Sequence, residues 1–356
     1  MDFDFDEEEQ AIADLTAQIL DDQVTHESLR ELTADPDVDW DADLWALLAD
    51  AGILGAALPE QHGGAGLDFL AVTAALEQIG RTAAPIPFLE TVVMGGLTIA
   101  EFGTPALQDE LLERIATGRV YVTAALVPGE PVTVDADACT GVLTCVPFGM
   151  HTDVILVPTT DGMRVIDVEA TGDTMTRTEQ ATTTGHPQAR IELAGTPSQR
   201  LGSAATDDVL AWLRPRVDSA ICSMLAGACQ AALKLAADYA QQRHQFDRPI
   251  ATFQAVSQRA GDAYIDTEAV NLTSRQAAWR ISAGRHADEQ VAIARWWASE
   301  AGFRVMHAAT HLHGGVGVDR DYPLHRYFLM TRQLELTLGN AEEQLARLGD
   351  LIAERS

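Results

Sequence analysis

Apolar residues recur at helical spacing through the first third of the chain. Ile12, Leu15, Ile19 and Leu20 form one stripe; Leu44, Trp45, Leu47, Leu48 and Ile53 form a second that ends at Gly55 and Pro59. The cluster Gln61-His62-Gly63-Gly64-Ala65-Gly66 predicts a turn. Leu70, Val72, Leu76 and Ile79 then open a new amphipathic helix, broken by Pro85 and Pro87. A further helix is expected from Val92 to Phe102. Gly103-Thr104-Pro105 stops it and starts the helix carrying Leu107, Leu111, Leu112 and Ile115, which closes at Gly118.

From about Arg119 to Leu201 the period shortens. β-rich runs appear at 120–123, 132–134, 142–146, 154–157, 163–166 and 190–193, separated by Gly, Pro, Asp and Thr. Such punctuation predicts a small antiparallel sheet or barrel. Helical periodicity returns near Asp207 and covers Val217–Gln242, Phe253–Arg280, Glu289–His311 and Tyr322–Glu354. Small residues at Ala226, Gly227 and Ala228 suit close helix packing there. The expected chain is mainly α: a helical domain over 1–118, a middle antiparallel β domain over 119–203, and a four-helix-type bundle over 204–356.

A hydrophobic content of 47% with 22% charged residues leaves enough apolar side chain for a sizeable core. Twenty-four basic against 53 acidic residues give a net charge of -29, the wrong sign for nucleic acid or an anionic membrane. No apolar run is read as approaching the roughly 20 residues that cross a bilayer. The acidic start, Met1-Asp2-Phe3-Asp4-Phe5-Asp6, lacks the basic then apolar order of a signal peptide, so the expected location is cytoplasmic. Cys139, Cys145, Cys222 and Cys229 form no metal-ligand spacing; Cys222 and Cys229, seven apart, share a helix face and read as core thiols.

Two motifs carry candidate chemistry. In Tyr239-Ala-Gln-Gln-Arg243-His-Gln245-Phe246-Asp-Arg-Pro249-Ile250-Ala-Thr-Phe253-Gln254, a cation, amides and aromatic rings bunch where a helix ends. Arg243 is able to grip a phosphate through its planar fork, and Phe246 and Gln254 to contact a ring or polyol. The same residues also fit a cation on a helix C-terminal dipole beside a core phenylalanine. In His311-Leu312-His313-Gly314-Gly315-Val316-Gly317-Val318, glycines let backbone N–H groups approach a pyrophosphate. The segment follows a helix, not a strand, so it is no dinucleotide fingerprint, and a plain helix-ending turn also fits. His311 and His313 have no carboxylate nearby to complete a metal site.

Together these motifs resemble the C-terminal domain of acyl-CoA dehydrogenases. That family's Arg-x-Gln-Phe-Gly-x-Pro-Ile…Phe-Gln is matched at Arg243, Gln245, Phe246, Pro249, Ile250, Phe253 and Gln254. Its Gln-x-x-Gly-Gly-x-Gly…Glu-Tyr-Pro…Arg is matched from His311 to Arg326, with His311 for Gln and Asp321 for Glu. Pro59-Glu60-Gln61-His62-Gly63-Gly64 resembles its N-terminal Pro-Glu-x-x-Gly-Gly turn. The resemblance implies FAD shared with a neighbouring subunit: Arg243 on the pyrophosphate, Gln245, Phe246 and Gln254 along the cofactor, His311, Gly314 and Gly315 around its ADP half. It also implies that a glutamate removes the α-proton of an acyl-CoA while the β-hydride passes to the flavin.

The chain departs from this pattern where chemistry is expected. Leu338, in Leu336-Thr337-Leu338-Gly339-Asn340-Ala341, stands where the family carries its Glu, and the alternative position counts back to Val217. Asp218, Glu335 and Glu342 are the acids nearby. The family's flavin-lining Thr-Glu-Pro-x-x-Gly-Ser-Asp is replaced by Leu126-Val127-Pro128-Gly129-Glu130-Pro131, and its ring-covering Trp by Val146-Pro147-Phe148-Gly149. These losses resemble the non-catalytic partner subunit of actinobacterial heterotetrameric acyl-CoA dehydrogenases acting on steroid (cholesterol) side chains. The expected partner is then a homologous catalytic subunit. Two other readings stay open: a homotetramer using Glu335 or Asp218 as base, and a helical scaffold or ligand carrier without flavin.

Overall fold

A computed structural model describes residues 3, 5–35, 38–127 and 129–354. Met1, Asp2 and Asp4 of the acidic start and Pro128 lie outside them. The helices are α1 (Glu7–Gln23), α2 (His26–Ala34), α3 (Ala42–Asp50), α4 (Phe69–Thr82), α5 (Thr98–Phe102), α6 (Pro105–Ala116), α7 (Thr206–Gln242), α8 (Gln254–Ser282), α9 (Asp288–His313), α10 (Leu324–Leu336) and α11 (Ala341–Glu354). Strands β1 (Val122–Ala124), β2 (Thr133–Asp135), β3 (Ala138–Pro147), β4 (Val154–Thr159), β5 (Gly162–Asp167), β6 (Met175–Gln180), β7 (Gln188–Pro197) and β8 (Gln199–Arg200) lie between α6 and α7. Two compact units cut across this order: Met1–Glu31, Thr73–Ala84 and Asp218–Ser356 form one, Leu32–Val72 and Pro85–Val217 the other.

In the first unit, α1 starts because Asp6 caps it. The Asp6 carboxylate accepts the N–H groups of Glu8 and Glu9, both at 2.9 Å, and Glu9 accepts the Asp6 N–H at 2.8 Å. The second half of α4 meets α7 backbone to backbone. A Cβ on Gly227 would stand 1.9 Å from the Glu77 carbonyl oxygen, and one on Gly80 would stand 2.0 Å from that of Met224. Only glycine permits that approach, and small residues beside Gly227 extend it. Cys222 and Cys229 are buried, and burial pushes each thiol up to about 12.

Helix α7 is longer than its pattern suggests and carries Pro215 inside it. By length and composition it is apolar enough to cross a membrane, contrary to the reading that no such run exists. Its apolar window is 61% buried inside the protein, as in the core helix of a folded domain. The expected continuous helix over Tyr322–Glu354 is broken. Leu338 (φ 59°) and Gly339 (φ 118°) turn the chain, and Asn340 restarts it by accepting the Glu343 N–H at 3.1 Å.

In the second unit, Leu89–Leu97 is π-helical where an ordinary helix was expected. Gly95 explains part of this: a Cβ there would stand 2.5 Å from that of Val122, so the wide turn lets β1 press against it. The strands form two four-stranded sheets, ordered β1-β4-β5-β8 and β2-β3-β7-β6, whose apolar faces share one core including Cys139, Ile155, Val157, Ile166 and Ile191. Pairing is antiparallel except between β1 and β4, which run parallel with Val122 opposite Val154. Strand β6, Met175–Gln180, has no apolar alternation and went unseen in the sequence; it is an edge strand with a mostly exposed, polar surface.

Candidate functional site

The first motif folds as a tight hairpin at the end of α7. Short strands β9 (His244–Gln245) and β10 (Arg248–Pro249) pair antiparallel, and the Ile250 N–H donates to the Arg243 carbonyl at 2.8 Å. The two turn residues, Phe246 (φ 52°) and Asp247 (φ 62°), are both left-handed, the twist that two-residue hairpins require. Neither is glycine, so each carries a backbone cost of roughly 1–2 kcal/mol. The turn presents Phe246 outward, 87% exposed. Its one ring neighbour is Phe253, edge-on at 6.2 Å, and Arg248 lies over that ring at 4.2 Å.

Arg243 is exposed, and its guanidinium has no hydrogen-bond or ion-pair partner among the described residues. It therefore does not close the carbonyls at the end of α7, as a capping cation would. Gln245 donates its amide to the His244 carbonyl at 2.8 Å. Gln254 opens α8 on an exposed position after the 3-10 turn Ile250–Thr252.

The second motif closes α9. His311 is exposed, and Gly314 (φ 63°, ψ −137°) turns the chain through a conformation essentially closed to other residues. A Cβ on Gly314 or Gly315 would meet nothing within 4 Å, so both stand against open space, whereas Gly317 packs with a would-be Cβ 2.8 Å from the Thr310 carbonyl. The two motifs meet beneath this surface. Tyr239, whose carbonyl accepts the Arg243 N–H at 2.8 Å, stacks on His313 at 4.6 Å, and Tyr322 approaches Tyr239 at 6.5 Å. The motif alone gives Tyr239 no role; an aromatic one turn before the cation is the available signal.

No group of three metal-ligating side chains occurs among the described residues. His313 is committed elsewhere: Nδ1 to the Ala309 carbonyl at 2.8 Å, Nε2 to the Tyr322 hydroxyl at 2.9 Å.

Leu338 occupies the turn between α10 and α11, and of the acids near it Asp218 and Glu335 are each held by arginine. Asp218 is buried, with one oxygen 3.2 Å from Arg295 Nε and the other 3.2 Å from Arg347. Arg295 is wholly buried and also donates to the carbonyls of Leu334, Thr337 and Gly339. It clamps the turn. Glu335 pairs with Arg332 at 2.5 Å, and burial raises its carboxyl pKa despite that partner. Glu342 is exposed in the first turn of α11. The role of Arg295 went unread; an arginine inside the apolar run Val291-Ala-Ile-Ala-Arg295-Trp-Trp was its signal.

The second unit holds the segment 146–149, expected in place of the family's flavin-covering tryptophan. Phe148 is fully buried at φ 56° and packs on Trp40 (5.2 Å), Tyr121 (5.7 Å) and His151 (5.2 Å). Leu126 is buried, and its carbonyl accepts from Arg214 at 3.4 Å. Glu90, buried on the π-helical segment, accepts from His186 at 3.1 Å. Burial pushes the His186 pKa down, but the bond to Glu90 and the field of Asp39 outweigh it and raise it overall. A cavity of about 390 Å³ in this unit, lined by Arg114, Asp153, Asp167 and Arg177 among others, contains none of the predicted residues.

Comparison with known proteins places these features. Residues 6–119 match the acyl-CoA dehydrogenase N-terminal domain, and residues 210–353 match the acyl-CoA dehydrogenase C-terminal domain. The acyl-CoA dehydrogenase FadE27 of Mycobacterium tuberculosis is 40% identical over 372 residues, covering 99% of both chains. A chain of the ChsE4-ChsE5 complex from Mycobacterium tuberculosis superposes with a TM-score of 0.92 at 39% identity, covering 99% of each. A chain of the Tcur3481-Tcur3483 steroid ACAD G363A variant superposes with a TM-score of 0.90 at 37% identity, covering 98% of each. Likeness at this level spans the whole chain, and the chain belongs to the acyl-CoA dehydrogenase family.

Proposed function

We propose that this chain is the non-catalytic subunit of a heteromeric FAD-dependent acyl-CoA dehydrogenase. In this reading it completes the FAD site of a homologous catalytic partner and lacks both a base and a flavin-ring pocket of its own. The substrate is an acyl-CoA thioester of a steroid side chain, a reading supported by the likeness to chains of ChsE4-ChsE5 and of a steroid ACAD. FAD is the family's cofactor, and when bound it accepts the hydride from the β-carbon.

The carrying observation is the Arg243 hairpin. A folding chain has no stability reason to hold a phenylalanine 87% exposed on two left-handed residues beside an unpartnered guanidinium. It has such a reason if the hairpin completes a site for an anionic, aromatic cofactor. Arg243 then meets the diphosphate with its fork, Phe246 and Gln254 line the cofactor, and the uncrowded backbone at Gly314 and Gly315 fits the ADP half. The residues fit a half-site. They do not fit a complete one: Phe148 is packed into the core, and Leu338 has no lone pair for a proton.

Homotetrameric catalysis from Glu335 or Asp218 finds no support, since both carboxylates are taken up by arginines. A flavin-free scaffold leaves the exposed hairpin without a purpose. The test is isolation. Purified alone, the chain should lack the visible absorbance of a flavin and should not oxidise acyl-CoA with an artificial acceptor. Co-expressed with a homologous catalytic subunit, it should co-purify as a yellow, active complex. A yellow, active homo-oligomer would overturn the proposal.

A further inference from the structure

Beneath the glycine turn lies a three-ring cluster that the half-site reading does not use. His313 is 3% exposed. Its Nδ1 faces the Ala309 carbonyl at 2.8 Å, and a carbonyl only accepts, so Nδ1 carries the proton. Nε2 is then a lone pair and accepts from the Tyr322 hydroxyl at 2.9 Å. Burial favours this neutral imidazole by lowering its pKa, against smaller raising effects of the Ala309 and Leu235 carbonyls.

Tyr239 stacks on the same imidazole at 4.6 Å with 29° between the ring planes. Three separate pieces of chain are thereby tied to one ring: the end of α7, the end of α9 and the segment before α10. Each piece bears on the half-site. Tyr239 is one turn before Arg243 and accepts its N–H. His313 immediately precedes Gly314. Tyr322 follows the turn Gly314–Val318 and holds its far end.

We infer that Tyr322, His313 and Tyr239 are positioning residues that fix the Arg243 hairpin relative to the Gly314–Gly315 turn. This rests on the half-site reading above. A flexible glycine turn and an exposed hairpin bind one rigid ligand well only if their separation is set beforehand, because ordering them on binding costs affinity. The ring stack sets it, and the neutral tautomer is part of the device. Replacing the hydroxyl removes the bond while keeping every ring in place.

The experiment uses the co-purified complex and two readouts: FAD retained per complex, and hydrogen exchange of segments 243–250 and 311–318. Tyr322→Phe should speed exchange in both segments together. It should also weaken FAD retention about two- to tenfold, the range expected from losing one neutral hydrogen bond. His313→Phe, which keeps the stack and loses the acceptor, should do the same. In an Arg243→Ala background, Tyr322→Phe should weaken FAD less than it does in the wild type, since part of its effect passes through Arg243. Faster exchange confined to 311–318, or additive losses of FAD, would overturn the inference. If Arg243→Ala leaves FAD unchanged, the half-site reading falls, while coupled exchange of the two segments still decides whether the rings position them.

Discussion

At the scale of single residues, two arginines with opposite environments define the molecule. Arg295 is wholly buried, and its donors are spent on Asp218 and three carbonyls around Leu338. Asp218 therefore serves as its counter-charge, and removing it would strand a buried cation at a cost of roughly 3–5 kcal/mol. That cost, and not lost proton transfer, would dominate any Asp218 variant. Glu335 gives the cleaner test of whether this chain supplies a base. Glu335→Gln in the co-purified complex should leave turnover within a few-fold of wild type. General base catalysis contributes about 10²–10⁴-fold, so a hundredfold loss with FAD still bound would show that Glu335 takes the proton. Arg243, by contrast, is exposed, and its guanidinium has no partner among the described residues. The sequence could name both Arg243 and Leu338 because a motif sets their places. It could not name the clamp, because Arg295, Asp218 and the turn at 337–339 lie far apart along the chain and meet only once α9, α10 and α7 have packed.

At the scale of elements, the crossing of α4 and α7 in the first unit is the tightest joint. Gly227→Ala puts a methyl into the Glu77 carbonyl, and backbone cannot give way as a flexible side chain would. The expected loss is at least the 1–3 kcal/mol typical of overpacking, read as a lower urea midpoint with unchanged slope. A change below about 0.5 kcal/mol would mean that the helices do not cross at Gly227. This joint was legible as a run of small residues, as was the division into helical, strand-rich and helical stretches. Elements whose pattern carries no apolar period were not. β6 is polar along its exposed edge, and the π-helical turns of Leu89–Leu97 follow from the approach of β1, a contact that spacing alone does not encode. The break between α10 and α11 was similarly hidden, since Leu338 takes a left-handed conformation that leucine does not advertise.

At the scale of the whole molecule, the chain keeps its family's fold across its full length. The hairpin and the glycine turn are exposed and tied together through Tyr239 and His313. Leu338, read from the motif as standing at the base position, lies in a left-handed turn, and Phe148 is packed into the core. The proposed function therefore requires a partner that supplies the base and the flavin-ring pocket. The most direct measurement is bound FAD per complex, wild type against Arg243→Ala, at matched thermal stability. A charge-assisted hydrogen bond is worth roughly 1.5–3 kcal/mol, so FAD binding should weaken on the order of tenfold to a hundredfold, with Arg243→Lys recovering only part because a point charge cannot reproduce the fork. Unchanged FAD occupancy in Arg243→Ala would contradict the account and leave the exposed arginine without a role in the cofactor site.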